Sequence, residues 1–175
     1  GMLLALAALG GGPACAASFT VPWGTSATQL GIVNLPEQER SGPLTFTISP
    51  AGAWVVADSV NNQIKEFAPD GSFVRVVASG VRPSSMAFDA DGNLLLLDGR
   101  RVTVLAPAGA VASIMDLPAD LPLIEGYAQE VFAEGGMIGV NDPEENSYLF
   151  RSGDAKPRAP AAVRTGRAAG AGLRA

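Results

Sequence analysis

The chain repeats itself, and a repeat of about 40 residues restricts the fold more than any other feature of the sequence. The segment FTISPAGAWVVADSVNNQIKEFAPDGSFVRVV, starting at Phe46, returns as MAFDADGNLLLLDGRRVTVLAPAGAVASIM, starting at Met86. Gly52 aligns with Gly92 at an offset of 40 residues and Gly71 with Gly109 at 38, so the second unit is two residues shorter, where 99–101 replaces 59–63. A third, eroded copy, VFAEGGMIGVNDPEENSYLFRSGD, begins at Val131 and has Gly135 or Gly136 at the equivalent turn.

The punctuation within each unit predicts strands. A short β-rich run ends at Pro50-Ala51-Gly52 or at Asp89-Ala90-Asp91-Gly92, where Asp tolerates turn geometry and Gly supplies positive φ. The next run, Trp54 to Ala57 or Leu94 to Leu97, is continuously apolar, as expected of a strand covered on both faces. A polar loop follows at Asp58 or Asp98, then a third strand (Ile64, Phe67; Val102, Val104). A second turn at Ala68-Pro69-Asp70-Gly71 or Ala106-Pro107-Ala108-Gly109 leads to a fourth strand, Phe73 to Val77 or Val111 to Met115. Four short antiparallel strands per unit predict an all-β array of propeller-type blades.

These units resemble NHL repeats. The first carries the pattern nearly whole, as Ala57-Asp58-Ser59-Val60-Asn61-Asn62-Gln63-Ile64 and Phe67-Ala68-Pro69-Asp70-Gly71. The second keeps the Asp89 to Gly92 turn and Asp98 without the Asn pair, and the third retains Asn141-Asp142 and Tyr148. The resemblance implies an incomplete NHL-like β-propeller of the secreted bacterial type, with two clear blades and one eroded blade over 41–154. It also implies that the loops joining strands two and three, and those joining blades, gather on one face around a channel. That placement makes Asp58, Asn61, Asn62, Arg82, Asp98, Arg100 and Arg101 the candidate ligand-binding residues. Each has a plainer role as well: a loop-initiating Asp commonly caps backbone amides, Asn favours positive φ, and arginines are often solvated surface groups.

The flanks are different materials. Residues 1–17 order an apolar run (Leu3 to Leu9), a Gly/Pro break and small residues, as a signal-peptide-like leader does, although no basic residue precedes the run. Export to a secreted or periplasmic location is therefore expected. The run is too short to span a membrane. Cys15 has Gly12 three positions before it, where a lipid-acceptor site has an aliphatic residue. Residues 18–40 offer one outer strand, with Trp23 and the Gln29 to Val33 run as its markers. Residues 155–175 form an Ala/Gly/Arg/Pro tail with five basic side chains, no acid and no hydrophobic period. The 7 basic and 17 acidic side chains of 1–154 give that part a net charge of −10, which disfavours a nucleic-acid partner.

With no histidine and a single cysteine, the chain has no Ser-His-Asp triad, no His-based zinc site and no internal disulfide. The acidic turns Asp89-Ala90-Asp91-Gly92 and Asp142-Pro143-Glu144-Glu145 invite calcium, but neither follows the twelve-residue EF-hand loop. No cofactor is expected. Three functions stay open at this point: an exported binding or protein-interaction module; a remnant of a larger propeller without activity of its own; and a metal-dependent propeller enzyme. The resemblance implies the third through lactonase-like and lyase-like relatives, with Asp58, Asn61 and Asp98 as the lactonase-like set. An open array also predicts self-association through exposed blade edges.

Overall fold

The structure, a computed structural model, describes residues 2–6, 17–36 and 39–151. Most of the leader, including Cys15, and the tail 155–175 lie outside the described residues. Thirteen strands and one 3-10 turn (Ile124–Gly126) form among them, with no α-helix.

The first repeat is a four-stranded antiparallel blade of β3 (Thr45–Ile48), β4 (Trp54–Asp58), β5 (Gln63–Phe67) and β6 (Phe73–Ser79) in that order. The second repeat gives β7 (Ser85–Phe88), β8 (Leu94–Asp98), β9 (Arg101–Leu105) and β10 (Val111–Asp116), again in sequence order. The third contributes β11 (Glu130–Glu134), β12 (Met137–Asn141) and β13 (Ser147–Phe150). The first strands of the three blades neighbour one another, β3 against β7 and β7 against β11. Because successive strands are antiparallel, the turns after first and third strands share one end of each blade. The turns after second strands share the other end with the linkers between blades.

The continuously apolar second strands are buried on both faces. Val55 and Ala57 pack with Met86, Leu94 and Leu96 between blades 1 and 2, while Leu95, Leu97 and Val102 pack with Val131, Ile138 and Val140 between blades 2 and 3. The opposite face of blade 1, with Trp54, Val56 and Phe67, is covered by Val21 and Leu30, so blade 1 has a layer on each side. The third strand β5 is likewise covered on both faces, Ile64 toward blade 2 and Phe67 away from it. One position remains open. Phe46 stands where Met86 and Val131 stand in the later blades, yet it is 48% exposed against 6% and 2%.

The leading segment departs from expectation. The strand there is β2 (Ala17–Val21), paired antiparallel with β1 (Met2–Leu6), and the Gln29 to Val33 run forms no strand. Leu30 is instead fully buried against blade 1 and Gly31 donates its amide to Asp58. The run is apolar because it plugs a core as a loop, which a β-rich composition does not distinguish from a strand.

One glycine seats blades 1 and 2 against each other. Gly109, in the turn after β9, has φ +90°, and a Cβ there would lie 2.8 Å from the Val77 carbonyl oxygen of β6. The obstacle is backbone, which cannot rotate aside. Gly109→Ala is expected to destabilise by about 1–2 kcal/mol in urea unfolding. Gly99→Ala, with φ +58° and nothing within 4 Å of the new Cβ, should cost less.

Candidate functional site

All seven candidates lie at the linker end of the blades, and the structure gives them unlike roles. Asp58 closes β4 and is fully buried. Its Oδ1 accepts the Gly31 amide at 2.9 Å, and its Oδ2 accepts Asn61 Nδ2 and Lys65 Nζ, each at 2.7 Å. Asn61 Nδ2 also donates to the Gly24 carbonyl at 3.0 Å. Asn62 carries the positive φ of the turn, 53°, whereas Asn61, read the same way from sequence, does not.

Lys65 completes the cluster, and the candidate set had missed it. Its side chain is fully buried, and besides Asp58 its Nζ donates to the Ser26 carbonyl at 3.1 Å and to the Gln29 carbonyl. All three ammonium protons thus have acceptors, as burial of a charge demands. The sequence held a signal: Lys65 alternates with Phe67 along β5 and so shares its inward face. A charged residue at an apolar register position is a candidate for a buried pair.

Blade 3 repeats the device with different chemistry. Asp142, in the turn after β12, is buried and accepts the Ile124 amide at 3.3 Å, the Glu144 amide at 3.0 Å and the Asn146 amide at 2.9 Å. Asn146 Nδ2 donates to both carboxylate oxygens. Tyr148 takes the place of Lys65: its hydroxyl donates to the Pro122 carbonyl at 3.0 Å and lies 3.5 Å from Asp142 Oδ2. Burial raises the Tyr148 pKa, and the Asp142 charge raises it further. In both blades a buried aspartate thus fastens the linker that enters its own blade, 22–44 in one case and 117–129 in the other.

Blade 2 is entered by a short linker and has no such staple. Asp98 is exposed, as is Arg82 in that linker. Arg100 reaches forward into the next linker, with Nη1 on the Gly126 carbonyl at 2.9 Å and Nη2 on the Pro118 carbonyl, while its own carbonyl accepts the Leu117 amide at 2.7 Å. Arg101 turns away to Asp116, Nε to Oδ1 at 2.6 Å on the surface. That hydrogen bond raises the arginine pKa and lowers that of Asp116. Asp58 and Asn61 therefore come together in the interior, whereas Asp98, Arg100 and Arg101 border one shallow surface depression with Asp116, and Arg82 is not among the residues lining it.

In each acidic turn the first aspartate turns its oxygens to its own loop. Asp89 Oδ1 accepts the amides of Asp91 and Asn93, and Oδ2 accepts Asn93 Nδ2, much as Asp142 caps its own turn. Among the described residues no three His, Cys, Asp or Glu side chains are grouped to hold a metal ion. No helix among them is long and apolar enough to cross a membrane.

No protein-family model matches the chain, and no curated protein matches it. Solved structures do. Hydrazine synthase from Kuenenia stuttgartiensis superposes with a TM-score of 0.51 at 15% identity, over 66% of this chain and 34% of that one. A protein of unknown function from Bacteroides caccae gives 0.50 at 15% identity, over 64% and 46%. The WD40 repeats of RRP9 give 0.50 at 10% identity, over 73% and 40%, and WD40 repeats are propeller blades. The fold is that of a β-propeller. At such identities the likeness concerns the fold alone, and the chain spans less than half the length of each of these structures.

Proposed function

We propose that the chain is the binding module of an exported, NHL-like propeller, and that its partner is a protein engaged at the linker end of the blades. The observation that carries this reading is the fastening of two long linkers by buried polar groups, Asp58 with Lys65 under 22–44, and Asp142, Tyr148 and Arg100 around 117–129. Loops held on a rigid scaffold lose little entropy when they bind. The same two linkers display large apolar side chains to solvent: Leu35 at 52% exposure, Leu44 at 56%, Ile124 at 37% and Tyr127 at 41%. Polar side chains at this end are engaged mostly in holding loops, which supports binding over catalysis.

The test uses the full chain as immobilised bait against the extracellular proteins of its source cells, with captured partners identified by mass spectrometry and their affinity measured. Ile124→Asp and Tyr127→Asp are exposed substitutions that should leave the circular dichroism spectrum unchanged. Each is expected to weaken capture by about tenfold or more, as loss of a central apolar anchor does. Undiminished capture by both variants would place the partner elsewhere and overturn the reading.

A further inference from the structure

At the end of the blades away from the linkers, two grooves lie between neighbouring blades, and they differ in one informative way. The groove between blades 1 and 2, about 250 Å³, has an arginine of the protein itself in its wall. Arg75 on β6 pairs in register with Glu66 on β5. Its Nε donates to Glu66 Oε2 at 2.7 Å and its Nη2 crosses to the Pro107 carbonyl of blade 2 at 2.8 Å.

The corresponding pair in blade 2, at the same place in the β9–β10 register, is Val104 and Ser113. The groove between blades 2 and 3 accordingly has no cation of its own and widens to about 530 Å³. Its turn changes as well, since Ser49-Pro50-Ala51 of the first groove is replaced by Asp89-Ala90-Asp91 in the second. Lysine and arginine are absent from the described residues that line it. Asp91 is exposed at the rim, and Asp89 caps the turn through Oδ1 with the Asn93 side chain on its Oδ2. Phe88, Val104, Met137 and Ile138 supply an apolar floor. Glu134, also at the rim, has a partner already, so the two aspartates carry the negative charge offered to a ligand.

We propose that the groove between blades 2 and 3 binds a guanidinium group, the group that the chain itself places in the wall of the homologous groove. A guanidinium is planar, weakly hydrated and able to fork onto a carboxylate, and its methylene stem suits an apolar floor. The site is independent of the linker end, so its failure leaves the protein-binding reading untouched and the reverse also holds.

The experiment titrates the full chain, labelled with ¹⁵N, with N-acetyl-arginine amide, with the peptide Gly-Gly-Arg-Gly-Gly, and with N-acetyl-citrulline amide as the neutral isostere. Saturable shifts are expected at the Ala112, Ser113, Gly135 and Gly136 amides with both arginine probes and not with citrulline. A tighter peptide would identify the source as a protein segment; equal affinities would identify it as a free small molecule. Ser113→Arg places the chain's own guanidinium at the position equivalent to Arg75 and should abolish binding. Asp91→Asn, at an exposed turn position, should weaken it about tenfold, as loss of a charged hydrogen-bond partner does. Absence of saturable shifts, equal binding of citrulline, or undiminished binding by a folded Ser113→Arg would each overturn the proposal.

Discussion

Lys65→Met should destabilise the chain by about 3–5 kcal/mol, because breaking a buried ion pair leaves its partner's charge in the interior without a counter-ion. Methionine fits the volume, so the loss is not one of packing. It removes the donor to Asp58 Oδ2 and to the carbonyls of Ser26 and Gln29 in a single step. Asp58 retains the Gly31 amide and Asn61, which are neutral donors. The defect should be concentrated at the linker. Leu30 and Gly24, whose amides bond to the Pro22 and Leu30 carbonyls, should lose hydrogen-exchange protection well before the amides of β8 and β9. Urea unfolding of Lys65→Met, of Asp58→Asn and of the double variant gives the coupling. The double variant should cost clearly less than the two single losses together, since either substitution already breaks the pair. Strict additivity, or a loss under about 1 kcal/mol for Lys65→Met, would mean that the pair does not hold the linker.

How much of this was legible before the structure depends on the range of the interaction. The turns at Gly52, Gly71, Gly92 and Gly109, and the strands between them, are local consequences of φ preference and apolar period, and they fall where the repeat places them. Asn62 with φ 53° was equally local. Leu30 was not, because an apolar run reads alike whether it will extend as a strand or sink as a plug; what decides is the Trp54 face it meets some two dozen residues later. For the same reason the candidate set did not show which residues would meet. Arg100 and Arg101 are adjacent in sequence, but Arg100 lies in the turn and Arg101 opens β9, so one side chain reaches the 117–129 linker and the other Asp116. Lys65 was visible only as an anomaly of register. Two of its three partners are backbone carbonyls 36 and 39 residues away, and carbonyls carry no sequence signature at all.

Asp142→Asn is the second large effect, expected at roughly 2–3 kcal/mol at neutral pH, the cost of leaving buried donors without acceptors and forfeiting charge-assisted bonds. The carboxylate accepts on both oxygens, Glu144 and Asn146 amides on Oδ1 and the Ile124 amide on Oδ2. An asparagine has one oxygen to offer, and its amino group must face a donor whichever way it turns. Burial works to raise the Asp142 pKa, but hydrogen bonds from the Asn146 side chain and from the amides of Asn146, Ile124 and Glu144 outweigh it and hold the carboxyl below its ordinary value. A group whose pKa is depressed on folding stabilises the native state above its unfolded pKa, and that contribution drains away as pH falls through the ordinary aspartate range toward the native value. The wild-type chain should therefore lose stability on acidification from pH 7 to pH 3 by more than Asp142→Asn does, which has no proton to take up at this position. Chemical denaturation of both proteins at the two pH values measures the difference. Parallel losses would show that the acid-sensitive group lies elsewhere, and Asp142 would then be a turn cap whose charge does no work on the 117–129 linker.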